Sequence, residues 1–365
     1  MPAVVDLENL RADVDAAVSR HLDVLGSQVA AIGRAAAPLT EQAAALLSGG
    51  KRLRAAFAYW SFRAHGGAAA GPERDAAVRT GAALELFQAA ALLHDDVMDA
   101  SDTRRGLPTA HRAFEARHAG AGWAGDPERF GESAAILLGD LCLIAAQREI
   151  ADALAPLPPE RATAVRAAFD AMQSEVIVGQ YLDVLVQAEP WGLDPTADEE
   201  RARAVLRAKS ASYSVRQPLV IGALLAGADA AQVAAIDAVG LPLGEAFQLR
   251  DDVLGVFGDP DVTGKPAGDD LREGKRTVLA ARTMATGDAA QRALLAERLG
   301  DQRLTDADVS ALRDAVVGSG ALDGVEKLID ELAGAATADL AAAELAEPGK
   351  GVLLELAQAA VDRAA

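Results

Sequence analysis

The chain has 365 residues, ample for a large buried core. Its formal net charge of −19 argues against non-specific attraction to nucleic acid or to an anionic membrane surface. Cys142 is the only cysteine, which excludes an intrachain disulfide and a multi-cysteine zinc site.

Apolar residues recur at helical spacing over 5–33, 38–66, 74–100, 131–155, 160–188, 198–226, 229–257 and 274–345, which read as helices or helix pairs, with a last helix over 349–364. Alternating strands rich in β-branched residues are not evident. Aromatic residues are scarce and alanine abundant, which favours helices packed closely on small side chains. Breaks fall at Gly66-Gly67, 120–131, Pro156–Pro159, Pro190–Pro195 and Gly258–Gly268, all short loops with turn chemistry. Pro218 lies inside a helical pattern and predicts a kink there. Composition does not shift along the chain, so the expectation is one all-α domain spanning 1–365. Asp6 and Glu8 interrupt the N-terminal stretch, so no secretory signal is expected. The apolar run Pro218–Ala228 is too short to cross a bilayer, and the chain is expected in the cytoplasm.

Two acidic clusters close long apolar helices. In the first, His94-Asp95-Asp96-Val97-Met98-Asp99, Asp95 and Asp99 share a helix face. Carboxylates at the negative end of a helix dipole are unfavourable without a cation. Hard oxygen donors of this kind suit Mg²⁺, which pairs one or two carboxylates with water and phosphate oxygens. Alone, such a cluster reads equally well as a solvated helix end. Arg104 and Arg105 follow a few residues later, and arginine's planar fork matches phosphate. The second cluster, Gln248-Leu249-Arg250-Asp251-Asp252, runs into a loop with Lys265, then Asp269, Asp270 and Lys275. Lys209-Ser210 adds an ammonium and a hydroxyl from another helix. Upstream, Gly49-Gly50-Lys51-Arg52-Leu53-Arg54 opens a helix, and Lys51 and Arg54 lie three apart near its positive N-terminus.

From Gly49 to Thr277 these segments resemble, in order, the motifs of the trans-isoprenyl diphosphate synthase (polyprenyl synthetase) family: GGKRLR, LLHDDVMD, DTRRGLPTAH, GQYLD, KSASYS, FQLRDD and GKPAGDDLREGKRT. The resemblance implies a single helical bundle around a central elongation cavity, usually a homodimer. It implies three Mg²⁺ ions, with Mn²⁺ able to substitute. Asp95 and Asp99 would hold two of them and Asp251 the third, with Asp96, Asp252 and Asp269 in support. Arg104, Lys209 and Lys265 would bind an allylic diphosphate. Lys51, Arg54, Arg105 and Gln88 would bind isopentenyl diphosphate. Ser210 stands where the family often has threonine, and Gln248 would steady charge beside the reacting carbon. His94, Thr103, Gln180, Asp183 and Tyr213 would line or support the site. One departure stands out: where many members carry a third aspartate in the second motif, this chain has Gly255.

Product length is argued from helix geometry. Ala90 and Ala91 lie about one turn below the first cluster and are small, so they leave the cavity open. Phe87 lies eight residues before Asp95, and each further four residues add roughly 6 Å of helix, about one five-carbon unit. Phe87 is therefore the expected floor, giving a C20 product, geranylgeranyl diphosphate. The alternative is that Phe87 packs in the core away from the cavity. Two rival functions fit less well. A class I terpene cyclase needs no isopentenyl diphosphate site and usually has a different second motif. A silent regulatory subunit would lack aspartates or basic residues that are present here.

Overall fold

In a computed structural model, which describes residues 3–259 and 268–362, the chain is almost wholly helical. After a 3-10 segment at Ala3–Asn9 come α1 (Leu10–Ile32), α2 (Ala37–Leu47), α3 (Leu53–Ala64) and α4 (Pro72–Met98). A two-residue-per-strand hairpin follows, β1 (Thr103–Arg104) against β2 (Leu107–Pro108), then α5 (Ala110–Ala121), α6 (Pro127–Leu154), α7 (Pro159–Ala188) and α8 (Pro195–Leu206). A π-helical segment (Arg207–Arg216) leads into α9 (Gln217–Ala226) and α10 (Ala230–Phe257). The remainder is α11 (Asp269–Glu273), α12 (Val278–Thr286), α13 (Ala289–Arg298), α14 (Asp306–Gly318), α15 (Ala321–Ala342) and α16 (Gly349–Val361).

The fold departs from the sequence expectation in three places and agrees with it over 38–66. The span 38–66 is a helix pair, divided where Gly49, Gly50 and Arg52 all take positive φ between α2 and α3. The span 274–345 is four helices. Helix α5 and the hairpin occupy a stretch to which the sequence reading assigned no element. Where a proline kink was expected, the whole segment from Arg207 to Arg216 is wound as a π-helix.

The chain forms two compact units. The first runs up to Asp170 and adds Pro218–Ala234 and Glu344–Glu355. Its interior is filled by Phe57, Tyr59, Trp60 and Phe62 of α3, Leu84, Leu86 and Leu93 of α4, and Leu138 and Ile150 of α6, all essentially inaccessible. Each such side chain stabilises by about 1.5–3 kcal/mol. Three helices are clipped by one carboxylate: Glu149 on α6 accepts from Arg79 Nε of α4 at 2.7 Å and lies 3.0 Å from His21 Nδ1 of α1. Helix α4 is long and apolar enough, by length and composition, to cross a membrane, but 78% of that window is buried inside the protein. It serves here as the central core helix.

The second unit comprises Ala171–Gln217, Ala235–Ala343 and the chain from Leu356 onward. Leu243 and Leu249 of α10, Leu312 of α14 and Ile329 of α15 are among its buried side chains. Arg250, next to the second acidic cluster, makes a forked ion pair with Glu326 of α15, both bonds 2.6 Å, and donates to the Val361 carbonyl at 3.1 Å.

Candidate active site

In the first unit, α4 starts with Pro72 in its first turn and Glu73 and Asp75 alongside, all favourable at a helix N-terminus. It stops at Ala100, whose φ of 52° is left-handed, and the Ser101 N–H reaches back to the Asp96 carbonyl at 3.0 Å. This stop leaves the three aspartates on the final turn. Along the otherwise buried helix, Gln88, Ala91, Leu92, Asp95 and Asp99 are only partly buried and recur at three- and four-residue spacing. They make one accessible stripe. Ala90 and Phe87 lie on the buried side, and Phe87 packs edge-on to Phe169, ring centroids 6.4 Å apart. His94 turns to α6, where its Nε2 lies 3.1 Å from the Ile136 carbonyl and its ring covers Gly139.

Asp96 has a different task from its neighbours. It is 2% exposed and accepts from Arg104 Nε at 2.7 Å and Nη2 at 2.5 Å, while Arg104 Nη2 also lies 3.6 Å from Asp95. Arg104 is thereby anchored beside the stripe that carries Asp95 and Asp99. The hairpin's geometry fixes Arg105. Arg105 and Gly106 form its two-residue turn with φ of 54° and 75°, the pairing of positive values that suits a tight hairpin. Arg105 extends to the loop before α3, where its Nη1 lies 3.4 Å from the Leu46 carbonyl and packs over Gly50. Burial lowers the Arg105 pKa from its ordinary value, Glu85 opposes this, and Arg52, Arg104 and Arg54 lower it further. Four guanidinium groups and the first acidic cluster thus share one region, with Lys51 exposed on the same loop.

In the second unit, the π-segment carries Lys209, Ser210 and Tyr213. Its wide winding brings backbone into close approach with neighbours: a Cβ on Gly179 would lie 2.7 Å from Lys209 Cα, and one on Gly244 would lie 3.1 Å from Ala211 Cα. Widened turns of this kind recur at functional sites. Lys209 Nζ is 2.6 Å from Asp183 Oδ2, which joins two residues expected at the site. Gln180, one turn before Asp183 on α7, is half-buried, and Tyr213 is buried. At the end of α10, Gln248 Nε2 donates to Asp252 Oδ1 at 2.9 Å. Burial pushes the Asp252 carboxyl up to about 8, with further contributions from Asp270 and Asp251, opposed by Gln248 and Lys275.

Asp270 is the residue that sequence reasoning missed. A Cβ at Gly255 would fall within 2.9 Å of all three carboxylate atoms of Asp270. The space of the absent third aspartate is occupied by a carboxylate from α11. Asp270 is 7% exposed and lies 3.5 Å from Lys275 Nζ. Its neighbour Asp269, singled out by the sequence, does not carry this packing. Lys265 lies outside the described residues.

The donor chemistry fits magnesium. Among the described residues no three His, Cys, Asp or Glu side chains gather into a self-sufficient metal site. Mg²⁺ uses few protein carboxylates and completes its shell with water and substrate phosphate, which is what a pair such as Asp95 and Asp99 beside arginines offers.

A helical protein with carboxylate-bearing helix ends and separate clusters of arginine and lysine is built for a metal-bound anionic ligand. The polyprenyl synthetase family profile matches residues 37–316. The geranylgeranyl diphosphate synthase of Sulfolobus acidocaldarius is 32% identical over 272 residues, 74% of this chain and 73% of that one. The geranylfarnesyl diphosphate synthase of Aeropyrum pernix is 34% identical over 280 residues, 76% and 79% of the two chains. A crystal structure of geranylgeranyl pyrophosphate synthase from Corynebacterium glutamicum, complexed with isoprenyl diphosphate and magnesium, superposes with a TM-score of 0.88 at 36% identity and covers 98% of this chain and 100% of that one. The chain belongs to the polyprenyl synthetase family. It has the all-α fold of that family, is a prenyl-transferring enzyme, and falls in a family that depends on magnesium.

Proposed function

We propose that the chain joins isopentenyl diphosphate to an allylic diphosphate (dimethylallyl, geranyl or farnesyl) and that its main product is the C20 geranylgeranyl diphosphate. The observation that carries this reading lies in the first unit. One stripe bears Asp95 and Asp99, Arg104 stands beside it, and a second basic site is formed by Arg105 against Gly50 on the Lys51–Arg54 loop. Two diphosphates need two such sites.

Magnesium, when bound, neutralises the allylic diphosphate and makes it a leaving group. We assign two of three ions to Asp95 and Asp99 and the third to Asp251, with Asp96, Asp252 and Asp269 in support. Arg104, Lys209 and Lys265 hold the allylic diphosphate, with Ser210 adding a hydroxyl. Lys51, Arg54, Arg105 and Gln88 hold isopentenyl diphosphate with its double bond towards the allylic carbon, so that orientation lowers the barrier. The allylic C–O bond ionises, the double bond attacks, and a proton leaves to the departing diphosphate. Gln248 donates its amide to Asp252, which directs its carbonyl oxygen elsewhere, where it steadies the developing cation. No side chain acts as general base.

We assign the floor of the product cavity to Phe87, below the small Ala90 and Ala91. The chain acts as one domain, a reading supported by α7, α10 and α16, each of which contributes residues to both units. It works as a cytoplasmic homodimer. Trp123, Phe130, Leu137 and Ile144, each between 37% and 64% exposed, recur every seven residues along α6 and the turn before it. A two-fold axis at Leu137 would set Ile144 opposite Phe130 and Arg148 opposite Asp126. Sedimentation of Leu137→Glu tests this: a monomer is expected, and an unchanged dimer would remove the seam from consideration.

The deciding experiment incubates the purified chain with Mg²⁺, labelled isopentenyl diphosphate and each allylic starter, then sizes the dephosphorylated products. A dominant C20 alcohol is expected. A C25 product would align the chain with its Aeropyrum relative, and failure to consume isopentenyl diphosphate would overturn the proposal.

A further inference from the structure

We propose that Glu85 and Arg52 are positioning residues for isopentenyl diphosphate: a buried ion pair that fixes the Lys51–Arg54 loop and Arg105 to the helix bearing Asp95 and Asp99. This rests on the reading of that loop as the isopentenyl diphosphate site and adds what holds it in place.

Glu85 sits in the middle of α4, flanked by buried apolar side chains, and is itself 4% exposed. A carboxylate taken out of water is strongly unfavourable unless paired. Glu85 Oε2 accepts from Arg52 Nη1 at 3.0 Å, while its Oε1 is buried with no hydrogen-bond donor among the described residues. Such an expensive group in a core helix calls for a task beyond packing.

Arg52 is fully committed. Its Nε donates to Asp15 at 2.7 Å and its Nη2 to the Leu47 carbonyl at 2.5 Å, in addition to Glu85. Its backbone is held at φ 51°, a left-handed conformation unusual for arginine, directly before the first residue of α3. That conformation turns the buried Arg52 side chain inward while Lys51 remains exposed and Arg54 half-buried. Arg105 grips the same place from the hairpin, its Nη1 3.4 Å from the Leu46 carbonyl. The last carbonyls of α2 therefore receive two arginines, Arg105 at Leu46 and Arg52 at Leu47.

The three cations of the loop divide their labour: Lys51 and Arg54 meet ligand, and Arg52 is the anchor. The charge balance explains why the anchor is ionic. Arg52, Arg54 and Arg104 each act on Arg105 as like charges, and Glu85 is the opposite charge that acts on it. The buried carboxylate keeps the guanidinium cluster assembled before a diphosphate arrives, so that less ordering is left for the binding step.

The test measures isopentenyl diphosphate affinity by calorimetry, in the absence of allylic substrate, alongside steady-state kinetics for both substrates. Glu85→Gln and Arg52→Met should weaken isopentenyl diphosphate binding and raise its KM about tenfold. The kcat and the allylic KM should move less than about threefold, and Glu85→Asp should recover part of the loss. A folded Glu85→Gln with wild-type affinity, or with equal loss for both substrates, overturns the proposal. If Glu85→Gln does not fold, Asp15→Asn carries the test, since it removes only Arg52's more exposed partner; wild-type affinity there overturns the proposal equally. A Lys51→Ala arm separates the two levels of argument. Unchanged affinity in Lys51→Ala would instead show that the loop is not the isopentenyl diphosphate site.

Discussion

Replacing Gly255 tests whether Asp270 really stands in for the missing third aspartate. In an ordinary helix, Gly→Ala stabilises by about 1 kcal/mol. At Gly255 the new Cβ would lie within 2.9 Å of every carboxylate atom of Asp270, where ordinary contacts begin at 3.4 Å. Asp270 has little room to retreat. It is buried, it lies beside Lys275, and its carbonyl accepts the Lys275 N–H at 3.0 Å at the end of the five-residue α11. Overpacking of this kind costs about 1–3 kcal/mol, so Gly255→Ala should be neutral to about 2 kcal/mol destabilising. Gly255→Asp, which restores the family pattern, should be worse. It adds a charge beside Asp252, whose carboxyl burial and the neighbouring Asp270 and Asp251 already push up to about 8. Two carboxylates about 4 Å apart repel by roughly 4 kcal/mol at an effective dielectric of about 20, less whatever protonation relieves. Moving the carboxylate rather than adding one, as Gly255→Asp with Asp270→Gly, should recover most of the loss in stability. Urea unfolding followed by circular dichroism reads all three variants. A Gly255→Ala protein clearly more stable than the parent would refute the reasoning, because it would mean that the space beside Gly255 is open.

Phe87→Ala removes a side chain 2% exposed and should destabilise by about 3–5 kcal/mol while lengthening the product distribution; an unchanged distribution in the folded variant would return Phe87 to a purely packing role. Cys142 is buried, and burial pushes its thiol up to about 12, so Ellman's reagent at pH 8 should react only after denaturant is added; labelling of the native chain would contradict its placement. Glu149 titrates below its ordinary value: burial alone would raise it, but the hydrogen bonds from His21 and Arg79, and their charges, outweigh that. A depressed carboxyl stabilises the fold above its unfolded pKa, near 4.3, and that stabilisation is lost as pH falls through the folded value. Glu149→Gln should therefore lower stability at pH 7 and flatten the fall in stability below about pH 4.3, as measured by urea melts across pH; a parallel, unflattened curve would show that the clip contributes nothing through its charge.

The helices were readable because their apolar periodicity is repeated over many turns. Helix α4 is a clear case, with Pro72 at its start and its three aspartates at its end. The missed elements share a different origin. The hairpin is only two residues per strand, and its turn is Arg105-Gly106 rather than the usual Asn-Gly, so no local propensity announces it. The π-segment is set by what packs on it, Gly179 from α7 and Gly244 from α10, and neither is adjacent in sequence. The site residues were readable as types but not as tasks. Helical spacing sets Asp96 apart from Asp95 and Asp99, but nothing in the line of letters says that its partner is Arg104. Asp269 and Asp270 are indistinguishable until α11 turns one of them towards Gly255. Glu85 was hidden because a single charge in an apolar helix resembles noise in the pattern.

The ion pairs at these sites also explain how so acidic a chain can bind two diphosphates. A net charge of −19 repels an anionic substrate at long range, but beyond a Debye length of about 10 Å at 0.1 M salt that repulsion is largely screened. What acts at contact is the local set of arginines and lysines, and these cannot stand unpaired in a partly buried site. Within the first unit Arg104 is held by Asp96 and Arg52 by Glu85; within the second, Lys209 is held by Asp183. All three partners are buried, so the difference lies in the cations they hold. Asp96 and Glu85 are buried and cannot be displaced by water, so they keep their arginines oriented whether or not ligand is present. Lys209, on a flexible stem with three rotatable donors, can keep one donor on the buried Asp183 while turning another towards a second acceptor. A guanidinium fork held in a fixed orientation and an ammonium with rotatable donors are thus two different ways, one in each unit, of holding a cation in a partly buried place without leaving it unpaired.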